Sequence, residues 1–140
     1  MGTTNLELQE MAKTLKIKNF RGVLMRDQFK DLNPPLDDEC GIYNLNDSSQ
    51  NGSHWTAFSK RGDYWYHFCS YGSGPCQELI EYSNNKPILT HTYKIQGWND
   101  TICGEFCILF LHWFSQWSKE ENSNVAYARA VLLLNDLSNA

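Results

Sequence analysis

The spacing of apolar residues changes character along the chain, and each change marks an element. Over residues 5–16, Leu6, Leu8, Met11, Ala12 and Leu15 fall mainly on one helical side behind Thr3 and Thr4, either of which can cap the first turn. The pattern predicts a short docking helix. Asn33-Pro34-Pro35 can continue neither a helix nor a central strand, so residues 26–39 are expected to be loop. Gly41 to Leu45, Ser53 to Ser59 and Tyr64 to Ser70 are rich in aromatic and β-branched residues and are separated by polar turns at Asn51-Gly52 and Arg61-Gly62-Asp63. They read as consecutive antiparallel strands. Pro75 suits the first turn of a short helix over 76–82, and Ile88 to Ile95 alternates as a fourth strand. Residues 102–117 (ICGEFCILFLHWFSQW) are apolar on nearly every side, which predicts a helix through the middle of the fold. Ser123 can cap a last helix over 124–137, with Val125, Ala128, Val131, Leu132 and Leu134 facing inward. The order α, β, β, β, α, β, α, α specifies a segregated α+β fold rather than a doubly wound one.

Composition narrows this picture. With 140 residues, 41% hydrophobic and 14% aromatic, the chain has the material for one core, so residues 1–140 are expected to form a single domain, and wholesale disorder is excluded. A formal net charge of -4 argues against a dedicated nucleic-acid binder. The charge is uneven: residues 1–30 carry six Lys/Arg against three acids, leaving a basic patch near the N-terminus as the candidate for any DNA contact. Five cysteines, odd in number and without framework spacing, indicate free thiols in a reducing compartment. MGTTNLELQE has no apolar signal core, and the most apolar stretch, Phe106 to Trp117, falls far short of the ~20 residues that span a bilayer. Neither secretion nor a membrane anchor is expected, and the sequons at Asn46, Asn51 and Asn99 are read as chance matches.

Among chemistry-bearing residues, Cys103 stands where the turn segment Gly97-Trp98-Asn99-Asp100-Thr101 enters the buried helix. Backbone N–H groups and the positive helix end would there lower a thiol pKa below about 8.5. Gly104, directly after it, removes a side chain where a substrate backbone could approach, whereas Cys107 reads as core. His54 opens an aromatic strand beside Trp55, but spacing alone does not prefer it to His67, His91 or His112. No Cys or His spacing suits a metal, no P-loop follows Gly72-Ser73-Gly74, and no cofactor is expected.

Taken together, ordered blocks of this sequence resemble the adenovirus-type maturation cysteine protease (adenain) family, most closely its members encoded by Polinton/Maverick elements and related DNA viruses. The blocks are Phe20-Arg21-Gly22-Val23 with Met25-Arg26-Asp27, Glu39-Cys40-Gly41-Ile42-Tyr43-Asn44-Leu45, Gly52-Ser53-His54-Trp55-Thr56-Ala57, Tyr66-His67-Phe68-Cys69-Ser70-Tyr71-Gly72, and Gln96 seven residues before Cys103-Gly104-Glu105-Phe106-Cys107. The resemblance implies a papain-like, ubiquitin-like-protease-type fold, with a small antiparallel-rich sheet against a central helix that carries the nucleophile at its N-terminus. It casts Cys103 as nucleophile, His54 as general base and Gln96 as oxyanion donor, with Trp55 and Gly104 at the substrate. It also implies protein substrates such as capsid or core precursors, a short activating peptide, and a virion or host-nuclear location.

One departure stands out. The family's Asp, which accepts a hydrogen bond from the histidine, aligns with Cys69. A neutral thiol is a poor acceptor and carries no full charge, so reduced activity rather than none is expected, with Ser70 or Asn44 as substitute orienters. Two other readings follow: a SUMO- or ubiquitin-type isopeptidase, and a catalytically impaired pseudoprotease that serves as a protein-binding module.

Overall fold

The computed structural model describes residues 3–50, 54–92, 94–95 and 102–139. Its centre is a five-stranded sheet in sequential order: β1 (Phe20–Met25), β2 (Asp38–Asn44), β3 (Trp55–Arg61), β4 (Tyr64–Phe68) and β5 (Ile88–Thr90). The β2–β3 and β3–β4 pairs are antiparallel, while each edge strand joins its neighbour in parallel. Helices α1 (Asn5–Thr14), α3 (Cys103–Trp117) and α4 (Ser123–Ser138) cover one face, and α2 (Gln77–Tyr82) with a 3₁₀ turn (Arg26–Asp31) covers the other.

Side-chain alternation explains the two layers. Ile42, Ala57, Tyr66 and Phe68 point toward α3 and pack with Cys107, Phe110, Leu111 and Phe114, whereas Tyr43, Phe58 and Trp65 point the other way onto Phe29 and Leu79. Both faces of the central strands are thus dry. Burial of each of these large side chains is worth roughly 1.5–3 kcal/mol, which is why α3 can be apolar around most of its circumference.

The first helix starts as its sequence predicts. Thr4 Oγ1 accepts from Glu7 N at 3.2 Å and the Glu7 carboxylate accepts from Thr4 N at 2.9 Å, a reciprocal cap that also holds the Glu7 carboxyl below its ordinary range. Its end departs from the usual chemistry. Lys16 adopts φ 55, a left-handed position normally given to glycine, while Ile17 N reaches back to Ala12 O.

Four expectations need correction. Residues 26–39 are not all loop, because buried Phe29 pulls Arg26–Asp31 into a 3₁₀ turn and Asp38 already pairs with Arg61. Residues 20–25 form a strand that no pattern announced. Every residue of β1 is half-buried, and Gly22, at φ 128, sits in an irregular register between Phe20 and Val23, so period-2 alternation is absent. The strand expected over 88–95 is ordered against β4 only for Ile88–Thr90, after which His91 turns its ring to accept from Cys69 N at 3.3 Å. In α4, Asn122 rather than Ser123 caps, through Asn124 N at 2.8 Å. Val125, Ala128 and Leu132 face solvent there, and Ala126, Tyr127, Ala130, Val131 and Leu134 form the buried side. The helix is rotated because Tyr127 donates its hydroxyl to His67 O at 2.6 Å, fixing which stripe faces the sheet.

Candidate active site

Three segments converge at one end of the sheet: the approach to β3 at His54, the turn after β4 at Cys69 to Tyr71, and the first turn of α3 at Cys103. Cys103 is the first residue of α3 and is buried at 2% exposure. Its Sγ accepts from the backbone N–H of Trp55 at 3.5 Å, so the thiol lies one residue along the chain from His54. Leu45 N donates to His54 O at 3.0 Å, which extends the β2–β3 ladder by one rung and fixes the backbone that carries the imidazole.

The His54 ring has defined neighbours. Its Nε2 lies 3.5 Å from Cys69 Sγ and 3.4 Å from Ser70 Oγ. Its face is stacked on Tyr71, with centroids 3.8 Å apart and an interplanar angle of 9°. Burial pushes the Cys69 thiol above its ordinary value, partly offset by hydrogen bonds from Ser73 and Gly72, so Cys69 stands as a neutral SH. Of the other candidate orienters, Ser70 reaches the ring at Nε2, and Asn44 Oδ1 accepts from Asn46 N at 2.9 Å.

The remaining thiols are in apolar surroundings. Burial pushes Cys40 up to about 12 and drives Cys107 well above the ordinary thiol value, and Cys107 also feels Cys103 and Cys69. Cys76, at the start of α2, is raised for the same reason. His67 is a core residue: its Nε2 meets the Tyr43 hydroxyl at 2.6 Å, and full burial lowers its pKa to about 3. His91 supports the turn through Cys69 N, and His112 lies on α3 edge-on to Trp113.

Gly104 has a packing reason different from the one its position suggested. A Cβ there would meet Leu8 Cδ2 at 2.9 Å and Trp55 Cδ1 at 3.1 Å, so the missing side chain makes room for α1 and the indole. The Trp55 indole N–H donates to Thr3 O at 2.9 Å, and the Thr3 hydroxyl donates to Glu105. The start of the chain therefore lies against the rim of this site.

The structure brings together His54, Trp55, Cys69, Cys103 and Gly104; Gln96 and the turn at 97–101 lie outside the described residues. Tyr71 belongs to the block Tyr66 to Gly72, but its place over His54 is not readable there, because it depends on the turn after β4. That turn is fixed by Gly72 N to Cys69 O at 2.8 Å, with Gly72 at φ 75. No group of three or more potential metal ligands occurs among the described residues.

No protein-family model matches the chain, and no curated protein matches it. Solved structures do. The crystal structure of ASFV pS273R protease superposes with a TM-score of 0.55 at 15% identity, covering 90% of this chain and 61% of that one. Its selenomethionine form gives 0.54 at 14%, with the same coverage. The chain thus spans about three fifths of the length of these structures. The expected α+β fold of the ubiquitin-like-protease type, a small sheet against a central helix with Cys103 at its N-terminus, is borne out. No helix among the described residues is long and apolar enough to cross a membrane.

Proposed function

We propose that the chain is a cysteine endopeptidase of reduced activity in which Cys103 attacks and His54 moves the proton. The observation that carries this reading is the meeting of the His54 segment with the Cys103 thiol at the N-terminus of α3. A helix N-terminus favours the thiolate through its unpaired N–H groups and dipole. With Nε2 facing Cys69 and Ser70, Nδ1 is the nitrogen that takes the Cys103 proton.

The steps follow from that assignment. The Cys103 thiolate attacks the scissile carbonyl carbon, and the oxyanion is met by the Cys103 N–H and the Gln96 side-chain amide, a donor typically worth about 10²–10³ in turnover. His54 then gives its proton to the leaving amine as the C–N bond breaks, which leaves a thioester on Cys103. Water attacks the thioester with His54 as base and restores the thiol. Trp55 forms a wall of the cleft. Family resemblance supplies the finer reading: adenain and Polinton-type relatives, structural-protein precursors as substrates, and maturation within a virion as the setting. The acidic total charge weighs against DNA as a partner.

A second reading, a pseudoprotease holding a peptide in the same cleft, is favoured by one observation: Cys69 is a neutral thiol where the family uses a carboxylate. Incubation of the protein with a diverse peptide mixture, read by mass spectrometry, separates the two. Cleavage that disappears in Cys103→Ala supports the peptidase. Peptide binding without cleavage, unchanged by Cys69→Asp, supports the binding module.

A further inference from the structure

Building on the peptidase reading of this site, we propose that Tyr71 is a positioning residue for His54: its ring face holds the imidazole in place and stabilises its protonated form, a task that Cys69 beside it cannot perform. The stack is close and nearly parallel, 3.8 Å between centroids at 9°. Two neutral rings gain little from such an arrangement, since aromatic pairs favour edge-on or offset contact. A cation above a π face is attracted to it, more strongly when water is excluded. His54 is only 3% exposed, so its protonated form gains most from such a neighbour.

Tyr71 is held there from both sides. Gly72 N to Cys69 O at 2.8 Å closes the turn, Cys69 N donates to His91 Nε2 at 3.3 Å, and Ile95 N donates to Ser70 O at 2.9 Å. These contacts fix the backbone from which the Tyr71 ring projects. Among the described residues, the charged and titratable groups around the stack include Cys69 beside Nε2, Cys103 on the N–H of the adjoining Trp55, His91 behind the Cys69 backbone, and Lys94, whose Nζ lies 5.8 Å from the Tyr71 centroid. The lysine's positive charge close to the stack disfavours an imidazolium there, so it works against the effect of Tyr71.

The test is an NMR titration of the His54 ring in the Cys103→Ala protein, which removes the coupled thiol, compared among Tyr71, Tyr71→Phe, Tyr71→Trp and Tyr71→Leu. Leucine is expected to lower the His54 midpoint by about 0.4–1.5 pH units, from the usual strength of a cation–π contact. Phenylalanine should stay close to tyrosine and tryptophan should match or exceed it, while Lys94→Gln raises the midpoint. An unchanged midpoint in Tyr71→Leu overturns the inference, as does a fall in Tyr71→Phe as large as in Tyr71→Leu, which would assign the effect to the hydroxyl. If the leucine variant does not fold, a tryptophan midpoint below that of tyrosine overturns it equally. Peptide cleavage by the Cys103 protein, run in parallel, keeps the two readings apart. The expected midpoint series without cleavage counts against the peptidase alone, and cleavage with a flat series counts against Tyr71 alone.

Discussion

His54 and His67 are two buried histidines thirteen positions apart in one sheet, and their surroundings give them opposite uses. His67 lies inside the α2 layer with the Tyr43 hydroxyl on Nε2, and full burial lowers its pKa to about 3, so it is a neutral hydrogen-bonding core residue. His54 lies at the end of the sheet, with the Cys69 thiol beside Nε2, the Cys103 thiol on the N–H of the adjoining Trp55, and one face on the partly exposed Tyr71 ring. On the proposed reading, chemistry is assigned by where the sheet stops, since both residues sit in aromatic strand sequences.

The comparison breaks most visibly at the thiols. Cys103→Ala should lower peptide cleavage by roughly 10⁴-fold or more, as nucleophile loss does in comparable enzymes, whereas Cys107→Ala should retain cleavage and lose stability. Steady-state cleavage with denaturant melts measures both. Replacing Cys69 with Asp should raise kcat/KM by about tenfold or more, because a carboxylate on Nε2 orients the ring and stabilises the imidazolium; no gain would show that the orienting group is elsewhere.

At His67 the effect falls on stability. His67→Ala leaves the Tyr43 hydroxyl in a dry cavity and should cost about 2–4 kcal/mol in urea unfolding, while His54→Ala should cost less than half of that. The low pKa also fixes a pH dependence. His67 is neutral when folded and takes a proton when unfolded once the pH falls below about 6.5. Its contribution is therefore complete above that value and is lost as pH falls toward about 3, at no more than roughly 1.4 kcal/mol per pH unit. His67→Gln should flatten that slope.

Smaller effects lie at α1, which backs the site. Gly104→Ala should destabilise by about 1–3 kcal/mol through the Leu8 and Trp55 contacts. Lys16→Gly should instead stabilise by roughly 0.5–1 kcal/mol by relieving its positive φ. Thermal melts suffice for both.

Legibility in the sequence followed the same division. The central strands and α3 could be read because their alternation and length reflect burial on both faces, and Cys103 could be placed because a polar turn runs straight into an apolar helix. β1 was not legible, because an edge strand with Gly22 and half-buried side chains carries no period. The inward stripe of α4 was misread because Ala126, Tyr127 and Ala130 are weaker apolar signals than Val125 and Leu132, and tertiary contacts chose between them. His54 could be preferred to His67 only through resemblance of ordered blocks. The stacking of Tyr71 on His54 and the packing role of Gly104 depend on contacts between distant segments, which no local pattern encodes.

The central claim is that Cys103 and His54 act as a pair, and the pH dependence of alkylation at each cysteine, read by mass spectrometry, tests it most directly. The account predicts that Cys103 reacts well below the ordinary thiol pKa of about 8.5, that it slows in His54→Ala and speeds up in Cys69→Asp, and that Cys40 and Cys107 stay inert in all three proteins. If Cys103 is as inert as Cys107 throughout, no thiolate–imidazolium pair exists and the peptidase assignment is wrong.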